Sequence, residues 1–240
     1  MDLMEKEAGD AKKMIGTVKE IPSREAVEFL LPKHYSGRKS QITKAFGWFD
    51  ISGDLKAVCT FGKPASPSLC KGILGGAYSS SVYELNRLCR TDDWDKPLSW
   101  FVATCLRRLR PLNWVVVSYS DMAMNHHGYI YQACNFLYTG CTKGRTDKYA
   151  GVGKHSRHYD KVDNRYRVVR SPKHRYVYFC TNSKRLKKEW MQALRYPVME
   201  YPKGDNNVDY VLGDYLKPVV IKCTHTTTAS NNALEEEDKP

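Results

Sequence analysis

Residues 113–140 read NWVVVSYSDMAMNHHGYIYQACNFLYTG, and two kinds of spacing meet in them. NWVVVSYSD (113–121) is apolar without alternation, as a strand is when both of its faces are covered, and it ends on the polar pair Ser120 and Asp121. From Gly128 the spacing becomes helical: Tyr129, Gln132, Ala133 and Phe136 recur at i, i+3, i+4 and i+7, which makes them the expected packing face of a helix reaching about Asn135. Gly128 would let that helix approach the sheet closely, and a second strand is expected from Phe136. His126 and His127 stand at the helix entrance, where adjacent side chains point to different sides of the chain, a poor start for a shared metal site.

Upstream, SREAVEFLLPKHYSGR (23–38) reads as a Ser-capped helix with Val27, Leu30 and Leu31 on one face, ended by Pro32 and delivering His34 and Tyr35 into a loop. KAFGWFDISGDLKAVCTFG gives two strands joined at Ser52-Gly53-Asp54. Residues 62–81, rich in Gly, Pro and Ser, are expected to form an irregular loop. VYELNRLC is a strand, and RTDDWDKPLSWFVATCLRRLRP a helix with Pro97 near its start and Arg107, Arg108 and Arg110 at its end. The order of helix, two hairpin strands, strand, helix, strand, helix, strand specifies an α/β fold with a mixed, partly parallel sheet.

The formal net charge of +12 is concentrated: residues 141–195 hold 16 Lys/Arg against 4 Asp/Glu. A localised basic block suggests a polyanion, and here tyrosines that could stack on a displaced base are interleaved with the cations. The sequence therefore divides into a flexible N-terminus (1–20), a core (21–150), a basic extension that completes the fold and binds double-stranded DNA (151–203), and a polar, acidic tail expected to be disordered (204–240). In the extension, SKRLKKEWMQAL reads as a Ser-capped helix burying Leu186, Trp190 and Leu194. No apolar run is long enough for a membrane or secretory segment, so the chain is expected in the cytoplasm. The eight cysteines include no C-x-x-C pair, which argues against structural zinc and for reduced core residues.

The series strand, helix, strand ending in a polar pair, Gly-x-x-x-Gln-Ala-x-x-Phe helix, strand resembles the core of GNAT-type acyltransferases. HYSGR (34–38), FGKPAS (61–66), ELNRL (84–88), GYIYQACNFLYTG (128–140) and KHRYVYF (173–179), taken in order, resemble the Mom family of Mu-like phages over roughly residues 21–200. That resemblance implies a GNAT-related enzyme of the host-cell cytoplasm that converts adenine in DNA to N6-(methylcarbamoyl)adenine and shields phage DNA from restriction. It implies an acyl-CoA donor with Arg90, Lys96, Leu88 and Ser99 as candidate cofactor-binding residues. RTDDWDKP departs from the expected glycine-containing phosphate loop, since Asp92, Asp93 and Asp95 would repel a phosphate unless they cap the following helix or Arg90 and Lys96 compensate.

Adenine N6 is a weak nucleophile, so its transfer reaction needs a proton acceptor near the nitrogen and a donor group near the carbonyl oxygen. Such groups are expected at the C-terminal ends of the central strands. The candidates are His34 and Tyr35 from HYSGR, Ser120 and Asp121 at the end of the apolar strand, and Asp147 and Tyr149 in the following loop. The candidate DNA contacts are Arg38, Lys154, Arg157, Arg165, Arg167, Arg170, Lys173 and Arg175. No metal is assigned.

Overall fold

A computed structural model describes residues 16–151, 165–204 and 219–222. In chain order its elements are β1 (Gly16–Glu20), α1 (Ser23–Leu30), β2 (Lys44–Asp50), β3 (Leu55–Gly62), α2 (Pro67–Tyr78), β4 (Val82–Arg90), α3 (Leu98–Leu109), β5 (Trp114–Asp121), α4 (Tyr129–Ala133), β6 (Leu137–Cys141), β7 (Arg145–Lys148), β8 (Tyr166–Arg170), β9 (Lys173–Cys180), α5 (Lys184–Ala193) and β10 (Val220–Lys222). The chain divides into two units, Met1–Arg145 with Ser171–Lys217 and Thr146–Arg170 with Pro218–Pro240.

The first unit is built on a seven-stranded sheet in the order β1-β2-β3-β4-β5-β9-β6, in which β4 and β5 are parallel and the other neighbouring pairs antiparallel. The sheet is thus mixed and partly parallel, as expected. β5 explains why its sequence does not alternate: Val116 packs with Phe101, Leu106 and Phe136 on one face, and Val115 and Val117 pack with Ile73 and Trp190 on the other. The helices α3 and α4 supply the first layer, and α2 and α5 the second, beside a smaller cluster in which Ala26, Phe29 and Leu30 of α1 cover Val58 and Cys89. The hairpin between β2 and β3 closes at Ser52-Gly53-Asp54, where Gly53 adopts φ 87° and Asp50 Oδ1 accepts from both Ser52 N and Asp54 N at 2.9 Å. Ser183 caps α5 by accepting from Leu186 N at 3.2 Å, and Trp190 is buried, as the sequence indicates.

Several expectations are corrected. Residues 67–78 form a helix, because Pro67 opens it and Cys70, Ile73 and Leu74 recur at helical spacing to be buried. Residues 16–20 pair with β2 and bury Val18, so the flexible end expected through residue 20 is a strand from Gly16. Ser23 is the first residue of α1 and does not cap it, and the buried face is Ala26, Phe29 and Leu30. In α4 the exposed residues are Tyr129 and Ala133, whereas Ile130 and Tyr131 pack on the core and Cys134 is buried. The helix is short, so its inward face is set by the left-handed residues that bracket it, Gly128 (φ 75°) and Asn135 (φ 59°). A Cβ on Gly128 would lie 2.5 Å from the Tyr176 ring, which confirms the close approach.

KHRYVYF is also relocated: it forms β9, inserted between β5 and β6, so the basic extension loses its C-terminal part to the core of the first unit. The described part of the second unit is a three-stranded sheet in the order β10-β8-β7, β10 and β8 antiparallel, with Val168 buried and β10 exposed along its length. Of the seven described cysteines, six are buried and Cys141 is exposed. Among the described residues no helix is long and apolar enough to cross a membrane.

Candidate active site

The ladder between β4 and β5 has three rungs, Val82 to Val115, Tyr83 to Val116 and Glu84 to Val117. Both strands continue, β4 to Arg90 and β5 to Asp121, with no further rung between them. Only a side chain crosses next: Ser118 Oγ donates to Leu85 O at 3.0 Å. The facing edges beyond that bond lack strand partners at the C-terminal ends of two parallel strands, where open α/β sheets place their ligands.

A β-bulge in β4 decides which side chains gather there. Phe61 of β3 faces Leu85 while its neighbour Thr60 faces Arg87, so Asn86 is the extra residue. In a regular strand residues three apart point to opposite faces, and the bulge instead brings Glu84 and Arg87 to the same one. Asn86 then holds the loop of residues 36–43: its Oδ1 accepts from Thr60 Oγ1 at 2.6 Å and Ser40 Oγ at 3.3 Å, and its Nδ2 donates to Gln41 O at 2.8 Å. Arg87 donates to Asn86 O at 2.5 Å and Arg38 O at 3.3 Å, and its buried Nε has no partner among the described residues. The loop's approach depends on Gly62, since a Cβ there would stand 1.8 Å from Gln41 O.

His34 and Tyr35 lead into that loop; their rings stack at 4.5 Å, and Tyr35 meets His126 edge-on at 6.3 Å. Burial, reinforced by Arg87, His126 and Lys173, lowers the His34 pKa to about 3. His34 is therefore neutral, and because its Nδ1 accepts from Ser36 N at 3.1 Å its proton is assigned to Nε2. In this tautomer the second ring nitrogen of His34 is a donor. Tyr35 is pushed up to about 12, by burial first and then by the charge of Asp121.

Asp121 ends β5 and receives three donors, Ala123 N at 3.0 Å, the Ser171 hydroxyl and the Lys173 ammonium. Burial alone would raise its pKa, but the bonds from Lys173 and Ser171 outweigh it and hold the carboxyl below its usual value. It caps the turn Met122–Met124 and is occupied as a base. Ser120, on the opposite face, is buried with no partner for its hydroxyl among the described residues. The two histidines diverge as expected, His126 toward Tyr35 and His127 toward His174 at 5.8 Å. No group of three metal-binding side chains occurs among the described residues.

Glu84 escaped the sequence reading. It is half-buried, and among the described residues no hydrogen bond or ion pair reaches its carboxylate. Burial raises its pKa to about 7, against the opposing pull of Arg87 and Lys173. Only the bulge, invisible in ELNRL, sets it beside Arg87.

The other candidates are placed as follows. Arg90 donates to Thr91 O at 3.1 Å and wraps the turn before α3, while Leu88 packs on the core. The aspartates do not cap α3, whose first turn has no acidic residue, and two of the three are compensated: Asp93 pairs with Lys56 at 2.7 Å and Asp95 with Lys96 at 2.9 Å. Ser99 lies in the first turn of α3 and its carbonyl accepts from Cys134 Sγ. In the second unit Asp147 pairs with Arg170 at 2.9 Å, Arg167 donates to Thr146 O at 3.0 Å, Tyr149 N donates to Tyr166 O at 3.1 Å, and Arg165 is exposed. Lys154 and Arg157 lie outside the described residues. Two proposed DNA contacts are corrected: Lys173 is committed to Asp121, and Arg175 is buried, donating to Thr139 O at 2.7 Å and Thr139 Oγ1 at 2.9 Å beneath the Tyr196 ring.

The family model described as Mom protein family matches residues 16–203. No curated protein matches the chain. Solved structures similar to it include an N-acetyltransferase from Staphylococcus aureus Mu50 (11% identity, 70% of this chain and 99% of that one, TM-score 0.43). Two others are the spermidine/spermine N-acetyltransferase SpeG from Vibrio cholerae (10%, 72% and 96%, 0.44) and the ribosomal-protein-S5-alanine acetyltransferase from Vibrio fischeri (9%, 71% and 96%, 0.44).

Proposed function

We propose, from the premise that the chain belongs to the Mom protein family, that it is a GNAT-like transferase placing a methylcarbamoyl group on N6 of adenine in double-stranded DNA, so protecting phage DNA in the host cytoplasm from restriction. The observation that carries this reading is the gathering of His34, Tyr35, Arg87 and the Asp121–Lys173 pair where the β4–β5 ladder stops. Donors there suit a developing negative charge on a carbonyl oxygen: the outward N–H of His34, the Tyr35 hydroxyl and the Arg87 guanidinium. Asp121 and Lys173 hold one another and fix the end of β5.

An acyl-CoA donor fits the residues present. The unpaired edges of Leu85–Arg90 and Ser118–Asp121 offer backbone partners to an extended, amide-bearing arm, and the buried Arg87 Nε awaits an acceptor. With Asp93 and Asp95 paired to lysines, the turn before α3 opposes an anion less than its sequence suggests. When bound, such a donor supplies an activated carbonyl. The exposed cations Lys148, Arg165 and Lys222 of the second unit suit the phosphates of the acceptor DNA.

The test is nucleoside analysis of DNA from bacteria expressing the protein. Mass spectrometry should find methylcarbamoyl-adenine with the parent chain and none with Arg87→Ala. Unmodified adenine throughout, with the protein folded and present, would leave a non-catalytic DNA-binding role or an ordinary N-acetyltransferase.

A further inference from the structure

We infer that Glu84 takes the proton from the acceptor nitrogen, an inference that rests on the transfer reaction proposed above. Two of the groups expected to act as base are otherwise engaged. Asp121 already accepts from Ala123, Ser171 and Lys173, and the inward nitrogen of His34 accepts from Ser36 while its outward one carries the proton. Glu84 differs in each respect. It occupies the last rung of the parallel ladder, opposite Val117, and so stands where the unpaired edges begin. The bulge at Asn86 turns it to the same face as Arg87, and no hydrogen bond or ion pair among the described residues holds its carboxylate.

Arg87 on its own strand and Lys173 on β9 act on its charge, and, after burial, its charge in turn raises the pKa of Tyr119 on β5, Tyr131 on α4 and Cys70 on α2. Burial outweighs the two cations and raises its proton affinity to about pH 7, so the group can accept a proton at neutral pH and release it again. In the step itself the adenine nitrogen bonds to the carbonyl carbon of a thioester-type donor that carries the methylcarbamoyl group on its sulfur, and its N–H proton passes to a Glu84 carboxylate oxygen. The carbon–sulfur bond breaks with its electron pair on sulfur. The thiolate takes up one proton and Glu84 returns one to solvent, so amine and thiocarbamate become urea and thiol.

Glu84→Gln keeps the shape and removes the basicity. The assay uses cleared lysates of cells expressing parent or variant protein, which supply the donor, with unmodified plasmid DNA added across a range of pH. The rate of adenine modification should fall on the order of 100-fold or more in E84Q. The decline of the parent's rate below about pH 7 should vanish with it. E84Q should unfold at no lower temperature than the parent and bind plasmid equally well, and Glu84→Asp should restore part of the rate, which a merely structural role would not predict. The neutral His126 is the competing acceptor: loss of the pH dependence in His126→Gln but not in E84Q would overturn the assignment. So would a parent-like rate and profile in E84Q, or in Glu84→Ala should E84Q fail to fold. A parent protein that leaves the plasmid unmodified would overturn the transfer reaction itself, and the role of Glu84 with it.

Discussion

β4 and β5 run side by side, and each brings a carboxylate to the point where their pairing ends. Asp121, on β5, is met by three donors and held ionised, whereas Glu84, on β4, is met by none among the described residues and drifts toward neutrality at physiological pH. The chemical group is the same, so the contrast comes from its surroundings alone: hydrogen bonds and a cation on one arm, burial without partners on the other. Pairs of titratable groups pushed apart in this way mark sites where protons move. The well-satisfied arm supports the structure, and the poorly satisfied one is available for chemistry.

The contrast can be broken most severely from behind β5. Arg175 lies on β9 with its guanidinium spent on Thr139 and Tyr196, so Arg175→Ala should lower stability by about 3 kcal/mol, measured by denaturant unfolding, without a matching change in the salt dependence of DNA binding. Lys173→Met, which leaves Asp121 buried without its cation, should cost about 2–3 kcal/mol near neutral pH, a value moderated by the partial exposure of Lys173. Because the Asp121 pKa is depressed in the folded protein, the stabilisation is present above the unfolded value near 4 and is lost as pH falls through the lower folded value. Parent and Lys173→Met should therefore converge in acid.

Glu84→Gln sharpens the contrast by acting with the opposite sign. The folded pKa of about 7 exceeds the unfolded one, so ionising Glu84 penalises the folded state increasingly between about pH 4 and 7. E84Q should be more stable than the parent by about 1–3 kcal/mol at pH 8 and equal to it near pH 4, as thermal scans at the two pH values would show. The smallest effect belongs to the second unit: Arg165→Ala or Arg167→Ala should leave stability unchanged and lower the salt slope of DNA binding by about 1 each.

Much of the fold is legible because β5 and its neighbours follow simple periodicities. The strand, helix, strand, helix, strand series stands as β4, α3, β5, α4 and β6, and α5 has the cap and buried tryptophan its sequence indicates. Residues 62–81 misled because Gly, Pro and Ser mark loops as well as helix starts and kinks; Gly75, with φ 76°, interrupts α2 in the way its composition suggests without dissolving it. Charge also misled around β9, where arginine and lysine are consumed by Thr139 and Asp121 inside the sheet. For the site, HYSGR and the end of β5 were readable as polar residues at strand and helix ends. Glu84 was not: its place depends on a one-residue bulge and on the absence of partners, and neither leaves a mark in sequence spacing.

The most direct test of this division of labour is to titrate both carboxyl groups in the intact protein by carbon-13 NMR, with Glu84→Gln and Asp121→Asn used to assign the signals. The environments described here require Glu84 to titrate near pH 7 and Asp121 below the ordinary aspartate range. Ordinary values for both, near 4, would contradict the account, for the two arms of the site would then be electrostatically alike.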